Sequence, residues 1–147
     1  MKALVYIVIA VIISTPSAMA ADTPIGSIKT LEGTVHISRQ GIVISAKQGH
    51  PVFQQDTIRT DSASRVGIVL HDDTTLSLGP HSVLELKDYV FKPKDNDFSL
   101  VVRMLKGTFV YLSGVMGKLA PDAIRLETPD STIGIRGTRL LIQVEGH

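Results

Sequence analysis

Cysteine and tryptophan are both missing from this 147-residue chain. Without cysteine no disulfide can staple the fold, no thiolate can act as nucleophile or metal ligand, and no lipid can be attached to an N-terminal cysteine. Stability must come from the core. A mature chain of this size can bury about two-thirds of its unfolded surface, which is enough for an unstapled domain. Aromatic residues are few, four Phe and three Tyr. Tyr89, Phe91, Phe98, Phe109 and Tyr111 are most economically spent on core and edge packing rather than as sugar platforms. An excess of one charge is lacking too, with 15 Lys+Arg against 14 Asp+Glu. No basic run tracks a nucleic-acid backbone, so DNA and RNA are not expected partners.

Long apolar runs are absent after the first 20 residues. Lys2 precedes an unbroken apolar stretch, Ala3 to Ile13, which Ser14-Thr15-Pro16 ends before Ala18-Met19-Ala20. A positive start, a short apolar segment and a small-x-small site predict a secretory leader cleaved between Ala20 and Ala21. At 11 residues the run is too short for a permanent anchor, since a spanning helix needs roughly 20. Cleavage removes one lysine and leaves 14 basic against 14 acidic residues. A neutral surface provides little long-range steering toward DNA or anionic lipid.

What remains reads with period two. Val35 and Ile37 alternate with polar neighbours; so do Ile42, Ile44 and Ala46, then Val66, Ile68 and Leu70, then Leu76 and Leu78, then Leu84 and Leu86. Further runs are Leu100-Val102-Met104, Phe109-Tyr111, Ile124-Leu126, Ile133-Ile135 and Leu140-Ile142-Val144. Alternation of this kind marks half-buried strands. Breakers at Gly49-His50-Pro51, Asp72-Asp73, Gly79-Pro80, Pro93 to Asp97, Pro121-Asp122 and Pro129-Asp130 separate them. About ten to twelve short strands are expected, in an all-β sandwich or roll with solenoid-like character. Only Val115 to Ala120 offers a helical turn. The domain plan is a leader over 1–20, a linker over 21–27, the all-β domain over 28–144 and a tail over 145–147. The stretch Lys92 to Asp97 is read as a hairpin loop within that domain.

An echo runs through the chain: Leu31-Glu32-Gly33-Thr34, Leu105-Lys106-Gly107-Thr108 and Ile135-Arg136-Gly137-Thr138. Each has an apolar residue, a charged one, then Gly-Thr opening an apolar strand. Either these are duplicated strand corners or Gly-Thr simply starts strands often.

Motifs for chemistry are scarce. There is no Gly-x-Ser-x-Gly elbow. His36, His50, His71, His81 and His147 form no metal-ligand spacing. Asp72-Asp73 is the densest ligand cluster, and hairpin closure explains it, because Asp tolerates the left-handed conformation. No cofactor, metal or catalytic residue is expected. Arg136 breaks its local pattern and is assigned a structural role, bonding Asp56 or Glu127; capture of an anionic ligand or a partner's carboxylate is the alternative.

Several segments together resemble the FecR-type domain family. Gly49 to Asp61 is similar to its opening, with Asp56 and Thr60 at motif positions. Ser64 to Leu70, Asp73 to Pro80 and Ser82 to Leu86 continue it, although the usual Asp-Gly turn is Asp73-Thr74 here. Leu105-Lys106-Gly107-Thr108-Phe109 resembles the next strand. Glu127 to Thr138, with Pro129, Gly134, Arg136, Gly137 and Thr138, resembles the close. These motif residues are expected to be structural. The resemblance implies a periplasmic module; members relay iron-siderophore signals between a TonB-dependent receptor and a sigma factor. Lacking cytoplasmic and membrane segments, this chain is not expected to relay a signal alone, and the resemblance implies fold more safely than transport. The reading is a periplasmic or secreted, non-catalytic module that binds an unknown envelope protein. A small-ligand or cell-wall glycan binder, or an accessory part in sigma-factor and receptor signalling, are the alternatives.

Overall fold

The computed structural model describes residues 22–137 and 139–146. Among the described residues twelve strands make one continuous, curled sheet, a half-barrel. They are β1 (Gly26–Glu32), β2 (Val35–Arg39), β3 (Ile42–Ser45), β4 (Pro51–Val52), β5 (Thr57–Thr60), β6 (Arg65–Leu70), β7 (Thr75–Leu78), β8 (Val83–Lys92), β9 (Asp97–Leu112), β10 (Ile124–Glu127), β11 (Thr132–Gly134) and β12 (Arg139–Val144). The one-turn helix α1 spans Val115–Leu119, where the sequence predicts a turn.

The sheet has two halves that share β9. In one, β4, β1, β6, β7, β9 and β12 lie side by side; in the other, β3, β2, β5, β8, β9, β10 and β11 do. All pairings are antiparallel except β9 with β10, which run parallel from Ile124↔Leu100 to Glu127↔Arg103. The inner faces meet in one core that includes Ile28, Ile37, Ile58, Ile68, Leu84, Val102 and Tyr111. The fold begins inside the stretch read as a linker over 21–27, because Ile25 is buried and β1 pairs with β6 from Gly26.

β9 corrects the sequence reading, which has two strands where the structure has one of 16 residues. Even-numbered residues point inward in its first part, at Leu100, Val102 and Met104, and odd-numbered ones in its second, at Phe109 and Tyr111. The parity changes at Gly107, whose φ of 109° lets the strand turn over without breaking. β8 carries a similar irregularity between Leu86 and Asp88, and it turns Tyr89 inward out of phase with Leu84 and Leu86.

The turns follow their residues. Gln40 and Gly41, both at positive φ, close the β2–β3 hairpin with Arg39 opposite Ile42, the geometry of a two-residue type I′ turn. Between β6 and β7 the loop is His71-Asp72-Asp73, with Asp73 at φ 67° and the Asp73 N–H donating to Leu70 O. A three-residue loop with a left-handed last position replaces the two-residue turn, and so Thr74 can stand where glycine is usual. Lys92 to Asp97 holds a 3-10 turn, Pro93–Asp95, and joins β8 to β9 as a hairpin.

Candidate functional site

The most developed polar site is built on Arg39, the last residue of β2. Val35 and Ile37 face inward, and Arg39 continues that parity just beyond the core. Its Nε and Nη2 donate to the two carboxylate oxygens of Asp56, each at 2.8 Å. The Phe53 N–H donates to Asp56 Oδ2 at 2.9 Å, and the guanidinium lies 4.2 Å from the Phe53 ring centre. Asp56 is fully buried, so a planar bidentate partner is the economical way to satisfy it. The hydrogen bond to Asp56 raises the Arg39 pKa further, against the opposing effect of burial. This pair forms one wall of an open cleft of about 950 Å³, also lined by Gln54, Gln55, His71, Glu85 and Tyr89.

Arg136 is therefore not the partner of Asp56. It is not the partner of Glu127 either: that carboxylate, at the end of β10, accepts from Lys87 Nζ and Arg103 Nε, both at 3.3 Å. Parallel pairing sets Glu127 beside Arg103 on β9 and so makes the contact local. Burial works to raise the Glu127 pKa, but hydrogen bonds and charge from Lys87, then Arg103, outweigh it and hold the carboxyl low. Arg136 is exposed, just past the end of β11. Gly134, Gly137 and Pro129 are exposed as well, and the glycines have open space where a Cβ would stand. Thr138, Ala20 and Ala21 lie outside the described residues.

Two of the three Gly-Thr echoes are the same device. At Gly33-Thr34, the Thr34 N–H donates to Ser64 Oγ at 2.9 Å and the Thr34 carbonyl accepts from the Asp61 N–H at 3.1 Å. At Gly107-Thr108, the Thr108 N–H donates to Ser82 Oγ at 3.1 Å and its carbonyl accepts from the Gly79 N–H at 2.9 Å. Each serine follows a left-handed residue, Ala63 or His81, both at φ 52°. Each glycine has positive φ and lies so close to its serine that a Cβ would overlap it. Thr60 joins the second clamp, since its Oγ1 donates to Gly79 O at 2.6 Å and accepts from the Ser82 N–H at 2.9 Å. Gly137 has no such neighbour within 4 Å.

Asp72 is the other buried carboxylate. It accepts from Tyr89 Oη at 3.1 Å, Thr74 Oγ1 at 2.7 Å and the Met116 N–H at 3.1 Å. It thereby ties the β6–β7 turn to β8 and to the start of α1. Burial, then the charge on Asp72, pushes the Tyr89 hydroxyl pKa well up. Hairpin closure alone does not account for Asp72: the N–H groups of Val115 and Met116 at the start of α1 donate to it, a contact that alternation along one strand does not reveal. Among the described residues no group of three or more His, Asp or Glu side chains gathers as metal ligands.

The remaining features are open edges. Among the described residues β3 pairs only with β2, and Ile42 and Val43 are 66% and 68% exposed. Among the same residues β12 pairs only with β9, and Leu141 is 68% exposed. Residues 56–147 match the family described as FecR protein. The chain belongs to the FecR family. That family is one of cell-envelope proteins. No curated protein matches the chain. Among solved structures it is similar to a "Cell surface anchoring domain", with 31% identity over 45% of this chain and 88% of that one, and a TM-score of 0.43. The FecR match opens on Asp56 and takes in β5 to β12. It leaves out β1 to β4, of which β1 pairs with β6 and β2 with β5. Arg39, the residue that holds Asp56, thus lies outside the matched stretch. Among the described residues of this FecR protein no helix is long and apolar enough to cross a membrane.

Proposed function

We propose that this FecR protein is an exported, non-catalytic recognition module of the cell envelope. In this reading it is released from its leader between Ala20 and Ala21 into the periplasm or beyond, and it takes an extended segment of an envelope protein onto the free edge of β3. The observation that carries the reading is that edge itself. β3 projects past the core with Ile42 and Val43 uncovered and has a main-chain rim that another strand can join. On its outer face Val43, His36, Ser38, Thr57 and Arg59 line a shallow groove of about 370 Å³ suited to alternate side chains of an added strand. The two most buried carboxylates, Asp56 and Asp72, are spent on structural bonds, which leaves them poorly placed for acid–base chemistry.

Co-purification from envelope extract is expected to recover a protein partner. Ile42→Lys with Val43→Lys should remove that partner while leaving the thermal melt unchanged. Recovery of this chain alone, or with only its own copies, would sink the reading. A receptor of the TonB-dependent kind in the complex would connect the module to the signalling its family implies.

A second reading, a small-ligand or cell-wall glycan binder, is favoured by the Arg39 cleft. Its open polar walls and the Arg39–Phe53 stack suit a small oxygen-rich ligand. A thermal-shift screen of siderophores, muropeptides and sugars separates the two: a specific shift lost in Phe53→Ala supports the cleft, and none leaves the edge.

A further inference from the structure

We propose that β12 is a dimerisation edge, and that two copies of this chain join by pairing β12 with β12 antiparallel across a two-fold axis. The direction of the free main-chain groups follows from the clamp at Thr108. There both the N–H and the C=O of Thr108 turn toward the β7 side, to Ser82 and Gly79. Alternation along a strand then turns the main-chain groups of Gly107, Phe109 and Tyr111 toward β12. Their partners in register are Val144, Ile142 and Leu140. Arg139, Leu141 and Gln143 are left with their main-chain groups facing outward; Glu145 lies one residue past the end of β12, and extending the strand by that residue on pairing would bring it into the same phase.

Antiparallel pairing of such an edge with itself must set odd residues opposite odd ones. With Ile142 opposite its own copy, Leu141 faces Gln143 and Arg139 faces Glu145, and the symmetry repeats both pairs. The cation and the carboxylate at the two ends are thus complementary twice. Both are exposed, and neither makes an ion pair among the described residues. Centring the pair on Leu141 instead would put Arg139 opposite Gln143 and carry Glu145 past the strand. The chosen register also continues the inner face. Leu140 and Val144 are half-buried on either side of buried Ile142, and a second β12 would cover what the first leaves open. Because the contact is the same patch on both copies, it closes at two and does not propagate into a filament.

The test is a concentration series of the full-length chain by analytical ultracentrifugation, with a thermal melt alongside. A dimer is expected. Arg139→Glu, which sets one acid against another at each end, should raise the dissociation constant about tenfold or more without moving the melt. Arg139→Glu combined with Glu145→Arg should restore the dimer. Since the native chain has no cysteine, mixing Leu141→Cys with Gln143→Cys under mild oxidation should give a cross-linked heterodimer. A monomer at every concentration overturns the proposal, as does a dimer indifferent to Arg139→Glu or one that the double exchange fails to restore. The β3 edge takes no part, so Ile42→Lys with Val43→Lys should leave the dimer intact; the two proposals fail separately.

Discussion

Gly107 sits where no other residue fits. Its φ of 109° is left-handed, and an added Cβ would overlap the Ser82 side chain and backbone. Gly41 also has positive φ, but its Cβ would stand in open space. Gly41→Ala should therefore cost only about 1 kcal/mol, the conformational part. Gly107→Ala must in addition part the Ser82 clamp and release the Thr108 N–H, for at least about 3 kcal/mol in all. Urea titration of both variants checks the difference, and equal losses would mean that the clamp adds nothing. At this scale the sequence was half legible. The echo of Gly33 and Gly107 was visible, but the serines that complete it were not, because Ser64 and Ser82 come from turns 30 and 26 residues away from Thr34 and Thr108. The arginine that mattered was Arg39, not Arg136. Its signal was present as a charge on the inward phase of Val35 and Ile37, whereas Arg136 merely interrupts glycines.

Among elements, alternation located most strands, because one face of each is buried and the other wet. It overlooked β1, whose buried positions are Gly26 and Ile28, β4, which has two residues, and β5, whose inward positions are Ile58 and the polar Thr60. It split β9 because a change of phase looks like a break when only the pattern is read. The junction of β9, β8 and β10 carries a charge cluster, Glu127 with Lys87 and Arg103, and Arg103 also reaches Glu85 at 3.8 Å. Glu127 titrates lower in the folded chain than unfolded. Its stabilising part is thus present above the unfolded carboxylate pKa, and it fades as pH falls through the folded one. Glu127→Gln should lower the melting temperature at neutral pH and converge with the parent in acid. Melts from neutrality to about pH 3 follow this, and parallel curves would show that the cluster is silent.

At the scale of the molecule, β9 belongs to both halves, so neither half has a core boundary of its own. Heating should give one transition, with calorimetric and van't Hoff enthalpies equal. Two resolved peaks would mean that the halves melt apart. A long strand shared in this way also makes the exposed Pro93–Asp95 turn a natural cutting point. Nicking the chain there leaves one fragment ending in β8 and another beginning with β9, the two most extensively paired strands in the fold. Such fragments have the makings of a split reporter, silent apart and reassembled when fused partners bring them together, in a compartment where thiol chemistry cannot interfere with a cysteine-free scaffold.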